Sequence, residues 1–147
     1  MKYCGDTGNA CNHRCQREIL IGGIGADRLI GDQDEDILIA GYTSWDNNSS
    51  TNNLALTSIL REWSSSNSYA TRVGKITNGG GLNGLYRLVG DDGVDQTVFN
   101  DNDVDTLSGS QGIDWFFANR DNTGGGNAVL DIVTDRSGSE SWNDTDY

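Results

Sequence analysis

The stretch Gly22-Gly23-Ile24-Gly25-Ala26-Asp27-Arg28-Leu29-Ile30 decides how this chain folds. Its last three residues are enough for a short strand in which Leu29 points inward and its neighbours outward, because side chains alternate along extended backbone. The six residues before them, Gly22 to Asp27, must reverse the chain, and their glycines supply the backbone angles a tight reversal needs. One nine-residue unit is thus a turn followed by a strand. A strand this short cannot bury its inward residue alone, so such units have to stack.

The spacing recurs on both sides. Ile19-Leu20-Ile21, Arg28-Leu29-Ile30 and Ile37-Leu38-Ile39 follow one another at nine residues, each preceded by an acid: Glu18, Asp27, Asp36. Late in the chain Asp105-Thr106-Leu107 and Asp114-Trp115-Phe116 resume the register, with Gly109-Ser110-Gln111-Gly112 opening the second unit. Asp131-Ile132-Val133-Thr134 falls close to two periods further on, one residue short. Between the blocks the pattern changes to a helical one. Asn52 or Asn53 is a candidate cap for a helix carrying Leu56, Ile59, Leu60 and Trp63 on one face. Ser66 or Asn67 is a candidate cap for a second, with Tyr69, Ala70, Val73 and Ile76, and Asn78-Gly79-Gly80-Gly81 ends it.

Composition narrows the function classes. Against 10 basic residues the chain sets 22 acidic ones, a net charge of −12. No basic patch is available to release counterions from a nucleic acid or to meet an anionic membrane surface. The charge leaves a disordered acidic chain or a fold neutralised by cations. Trp115, Phe116 and Phe117 in a row, with Trp63 and Tyr69 upstream, favour the fold. Glycine at 20 residues with no proline fits neither collagen nor an ordinary linker. No apolar run approaches a transmembrane helix. Met1-Lys2-Tyr3-Cys4 runs into polar residues, so no cleavable signal peptide is expected. Either export takes another route or the segment is the tail of a longer chain.

The repeat carries a specific chemistry. Glycines leave carbonyl oxygens bare toward the next turn, and one aspartate per turn adds a carboxylate. Together they make a hard oxygen cage of the kind calcium prefers. Stacking also brings the aspartates together, where they repel unless cations intervene.

Gly22 to Ile30 resembles the nonapeptide of the repeats-in-toxin (RTX), or haemolysin-type, calcium-binding family. Gly109 to Phe117 matches it with Ser110 for the second glycine, and Gly31 to Ile39 keeps the first glycine, the aspartate and the leucine. Asn100 to Ser108 keeps Asp105 and Leu107, and His13 to Ile21 only Glu18 and Leu20. Asp131 to Asp135, followed by Gly138 and Glu140, resembles a closing segment. The tract Asp114 to Asn119 and the helical insert are also similar to C-terminal tails of large secreted bacterial surface proteins. The resemblance implies a mainly all-β fold, a parallel β-roll of nonapeptide repeats with an inserted short helical hairpin, in which turns stack on their second neighbours. One domain is expected over 1–147, with a first repeat block at 13–39, the helical insert at 50–80, and a second block with closing strand at 97–135. It implies several calcium ions between turns, held by Asp27, Asp36, Asp105 and Asp114 with backbone oxygens of Gly22, Gly23, Gly25, Gly31, Gly109 and Gly112. Asp32 and Asp34 stand where the family has glycines and would either add ligands or be solvated.

Other motifs are weaker. Cys4, Cys11, His13 and Cys15 have the ligand count of a zinc site, but their spacing matches no paired Cys-x-x-Cys pattern. A disulfide with a spare thiol and a loose N-terminus compete with it. Asp101-x-Asp103-x-Asp105 opens like an EF-hand, but Thr106 replaces the turn glycine and Gly112 the bidentate acid. Gly90-Asp91-Asp92-Gly93-Val94-Asp95 is a further calcium-turn candidate, out of step with Asp105 by one residue. His13 is the sole histidine, so a Ser-His-Asp triad or a His-Glu-x-x-His site lacks its parts, and no phosphate-binding loop is present. The expected function is therefore calcium binding by an extracellular or cell-surface structural, adhesive or secretion-linked module, with other cell-surface proteins or polysaccharide as partners. The competing reading is the calcium-binding tail of a secreted hydrolase.

Overall fold

The computed structural model describes residues 17–47, 49–90, 95–120, 129–143 and 145, together with the backbone of 2–4. Strand β1 (Lys2–Cys4) precedes three short strands at nine-residue spacing: β2 (Glu18–Ile21), β3 (Arg28–Ile30) and β4 (Ile37–Ile39). Then come β5 (Tyr42–Thr43), helices α1 (Ser50–Trp63) and α2 (Tyr69–Asn78), and β6 (Val98–Phe99). The chain ends in β7 (Thr106–Ser108), β8 (Trp115–Phe117), β9 (Ile132–Val133) and β10 (Ser141–Asn143). The fold is mainly short strands in parallel sheets, with two helices.

From β2 on, and leaving aside the β5–β6 pair, successive strands alternate between two sheets. One has the order β1-β2-β4-β8-β10 and is parallel except for β1; the other has the order β3-β7-β9 and is parallel throughout. Each strand therefore lies beside the one two units away. Ile19 pairs with Ile37, Arg28 with Thr106, Ile37 with Trp115, and Thr106 with Ile132. The offset between stacked partners is 18 residues at first and 78 across the helices. The excess is an excursion that leaves at Gly41 and returns at Asn100. Tyr42–Thr43 pair antiparallel with Val98–Phe99 at its neck. There Gly41 lies so close to the Phe99 carbonyl that a Cβ would stand 2.2 Å from it. The excursion is thus wider than the helical segment expected at 50–80.

The last offset is 26, not a multiple of nine. Asp131 is therefore not one residue short of two periods. It closes a single unit whose turn, between Phe117 and Ile132, is eight residues longer than usual. β10 follows β9 at the normal nine, and makes Glu140-Ser141-Trp142-Asn143 one more unit, where a closing segment was expected.

Between the sheets, Leu20, Leu38 and Phe116 meet Leu29 and Leu107 in one buried cluster. β3 alternates as expected, with Leu29 buried and Arg28 and Ile30 exposed. In β2, β4 and β8 the neighbours also lie on the opposite face, but there that face is covered. Ile19, Ile21, Ile37, Ile39, Trp115 and Phe117 are buried on the other face, under Leu56, Ile59, Leu60, Trp63 and Ile76 of the helices. The hairpin supplies the second layer that burying both faces requires.

The helix caps also differ from expectation. α1 is capped by Ser49, whose Oγ accepts from Asn52 N, and α2 by Ser68, whose Oγ accepts from Thr71 N. Both serines hold the extended backbone a cap needs, while Asn52 and Asn53 lie inside the first turn. Gly79, at φ +83°, ends α2 as expected.

Candidate metal centre

The acids that close the repeat units stack in two rows and share one bonding pattern. On one edge Glu18 N donates to Asp36 Oδ1 at 2.8 Å, and Asp36 N to Asp114 Oδ1 at 2.7 Å. On the other, Asp27 N donates to Asp105 Oδ1 at 2.6 Å, and Asp105 N to Asp131 Oδ1 at 2.9 Å. Each carboxylate uses one oxygen to take the N–H of the corresponding acid in the adjacent unit.

The second oxygen faces the glycine that opens its own turn. A Cβ on Gly109 would lie 2.2 Å from Asp114 Oδ2, and one on Gly31 would lie 2.6 Å from both Asp36 Oδ2 and Gly109 O. Gly22 stands in the same relation to Asp27, at 3.1 Å. At Gly31 and Gly109 the first glycine of the unit leaves room for the aspartate five residues on, and at Gly22 chiefly for the Ala40 carbonyl. Asp36 Oδ2 takes the N–H of Asp32 at 3.2 Å. Oδ2 of Asp105 and of Asp114 is buried without a hydrogen-bond partner. An unmatched buried polar atom costs on the order of 1–3 kcal/mol, more when charged. Burial, reinforced by neighbouring acids and opposed by the backbone N–H bonds, pushes the carboxyls of Asp36, Asp105 and Asp114 up to about 7. Asp131 is raised by burial as well.

Turn carbonyls of the Gly31 unit reach the turn stacked on it. Gly31 O accepts from Ser110 Oγ at 2.8 Å, Asp32 O from Gln111 N at 3.3 Å, and Asp34 O packs on Gly112. Gly23 and Gly25 have φ of +107° and +97°, and Gly112 of +139°. Asp34 and Ser110 replace glycines at such positions and keep the left-handed conformation, at +81° and +70°. Asp32 and Asp34 are exposed. The structure thus brings Asp36 together with Asp114, and Asp27 with Asp105, in separate rows.

Three acids outside the expected set belong to these rows. Asp131 Oδ2 takes Asn119 N, besides the Asp105 N–H on Oδ1. Asp135, at the first-glycine position of the last unit, accepts from Gly109 N, Ser110 N and Ser108 Oγ. Although partly desolvated, its carboxyl is held below its ordinary value by these bonds. Asp101 Oδ2 takes Gly25 N at 2.7 Å. The nine-residue step from Asp131 to Glu140 was the signal that could have extended the repeat to Asp131 and Asp135, while Asp101 lay inside a unit already recognised.

Among the described residues, no three His, Cys, Asp or Glu side chains converge as a metal cluster. An ion in either row would rest on one or two carboxylates and on carbonyls. Cys11, His13, Cys15 and the side chain of Cys4 lie outside the described residues, as do 91–94 of the Gly90–Asp95 turn. No helix among the described residues is long and apolar enough to cross a membrane. Comparison with protein-family models, curated proteins and solved structures found no match to this chain.

Proposed function

We propose that this chain is a calcium-binding parallel β-roll of nonapeptide repeats that completes its folding when the ion binds. The observation that carries the reading is the pair of buried carboxylate oxygens, Asp105 Oδ2 and Asp114 Oδ2, that have no partner. Calcium accepts flexible all-oxygen coordination from carboxylates and carbonyls, and these rows present only such donors. Asp105 and Asp114 would supply the charge. Asp27 would add carboxylate oxygens beside Asp105 and Asp36 beside Asp114, and turn carbonyls would complete each row's shell, those of Gly22, Gly23 and Gly25 in the first and those of Gly31, Gly109 and Gly112 in the second. The bound ion would neutralise carboxyls that burial otherwise holds close to protonation.

The reading assigns the chain a structural or adhesive role outside the cell and no catalytic step of its own. Extracellular calcium modules bind at roughly 10⁻⁴ to 10⁻³ M, so such sites stay empty in cytosol and fill outside. A ligand that binds only the folded state stabilises it by mass action. Titration with calcium, followed by circular dichroism and thermal melting against a chelated control, tests the proposal. Millimolar calcium should sharpen and raise the transition; identical spectra and melting temperatures in both conditions would refute it.

A further inference from the structure

In three places the first strand residue of one unit donates its N–H to the carbonyl of the acid in the unit stacked against it. Thr106 N reaches Asp27 O at 2.9 Å, Trp115 N reaches Asp36 O at 2.8 Å, and Ile132 N reaches Asp105 O at 2.8 Å. The fourth rung would join Ser141 N to Asp114 O. A tyrosine hydroxyl stands there instead. Tyr69 donates to Asp114 O at 2.8 Å and accepts from Ser141 N at 2.9 Å. Two bonds through one oxygen hold donor and acceptor further apart than the ~2.9 Å of a direct bond. Tyr69 is the first residue of α2, and its ring packs edge-on against Trp63 at 5.6 Å. The wedge therefore belongs to the helical hairpin.

The substituted rung falls at Asp114, one of the two acids with an unpartnered buried Oδ2. The next acid changes as well. Glu140 turns its carboxylate back to Ser137 N within its own turn. The hairpin grips the neighbouring turn of the same row: Trp63 Nε1 donates to Glu35 O at 2.7 Å, and Arg72 meets the Glu35 carboxylate at 2.6 Å, which Arg17, just before β2, also meets at 2.6 Å. Glu35 immediately precedes Asp36 in that row.

We infer that Tyr69 is a positioning residue for a cation held at Asp114, and that through its hydroxyl the helical hairpin sets the spacing of the last turn. The inference rests on the calcium reading above. Tyr69→Phe removes the wedge and leaves the ring in place. The test is a double-mutant cycle with calcium and terbium as probes, in two backgrounds that each keep one free oxygen. In Asp105→Asn protein, where Asp114 remains, Tyr69→Phe should weaken binding about tenfold. In Asp114→Asn protein it should leave binding unchanged. Equal losses in both backgrounds, or none in the first, overturn the inference while leaving calcium binding intact. A wild type that takes up neither ion overturns the calcium reading and this one with it. A second measurement keeps Tyr69 in place and so does not depend on the Tyr69→Phe variant folding. In ring-labelled Asp105→Asn protein the Tyr69 resonances should shift on calcium addition, and a Tyr69 ring that ignores calcium as it binds refutes the inference.

Discussion

Asp36 donates its backbone N–H to Oδ1 of Asp114 at 2.7 Å, across 78 positions of sequence. That one bond ties two stacked turns together and fixes the rotation of the Asp114 side chain. With Oδ1 engaged, Oδ2 is held against Gly109 and out of water. The carboxylate is thus a structural acceptor at one oxygen and an unsatisfied donor of charge at the other. The consequences for stability follow from this division.

The metal-free protein should lose stability as pH rises. Asp36, Asp105 and Asp114 have folded values near 7 against an ordinary 3.8, so folding favours their neutral form. Their contribution is fully present below the unfolded value and is lost as pH climbs through about 7. Asp135 runs the opposite way, but over a lower range: its contribution is present above its unfolded value and lost as pH falls through its depressed folded one. Melting temperatures in chelator should therefore fall between about pH 4 and about pH 7 and level off above. Saturating calcium should remove the fall, and calorimetry near neutral pH should detect protons released on binding.

Asp114→Asn and Asp105→Asn should split two effects that substitution by alanine would merge. Asparagine keeps an acceptor for the N–H of Asp36 or Asp27 and deletes the buried charge. At about pH 8 without calcium each variant should be more stable than wild type, by on the order of 1–3 kcal/mol. With calcium the order should reverse, because the ligand oxygen is gone. Urea unfolding in both conditions reads the crossing. Variants less stable than wild type in chelator would mean that the charge is already compensated in the metal-free fold.

Much of this arrangement was legible in the chain itself. Nine-residue spacing from Glu18 to Asp36 fixes which residues share a sheet, and Leu29 and Leu107 mark the inward positions. Isoleucine on both sides of Leu20 and Leu38, with aromatics on both sides of Phe116, was already a sign of a second covered face. The role of the first glycine was not legible. At Gly31 and Gly109 its need comes from the aspartate five residues on, which only the folded turn brings against it. The units after Phe117 were obscured by a lengthened turn that breaks the count. Tyr69 could not have been found at all, since its contact to Asp114 depends on how the hairpin docks.

Gly109→Ala should behave as an Asp114 defect, although it adds only a methyl group. The new Cβ would fall 2.2 Å from Asp114 Oδ2 and 2.6 Å from its carboxyl carbon. The side chain cannot swing aside without giving up the Asp36 N–H. A destabilisation of about 1–3 kcal/mol is expected, with calcium affinity reduced as in Asp114→Asn. Gly138→Ala, whose Cβ would meet nothing within 4 Å, is the control and should be close to neutral. Denaturant midpoints and calcium isotherms for the two variants check the contrast.

Asp34→Gly and Ser110→Gly should each stabilise the fold. Both residues hold left-handed backbone, at φ +81° and +70°, in positions where the matching unit has Gly25 and Gly23. Relief of that conformation is expected to add roughly 1 kcal/mol, reduced by the greater freedom glycine has when unfolded. Ser110→Gly also removes the hydroxyl from Gly31 O and from that turn's carbonyl row. Its gain should therefore be the smaller of the two in chelator, and larger with calcium if the freed carbonyl becomes a ligand. Asp34→Gly settles the standing of an acid that the repeat pattern left open. Its side chain is exposed, so a solvated Asp34 predicts higher stability and an unchanged calcium isotherm. A ligand predicts weaker binding despite the relieved backbone. Melting curves and calorimetry on this one variant read both quantities.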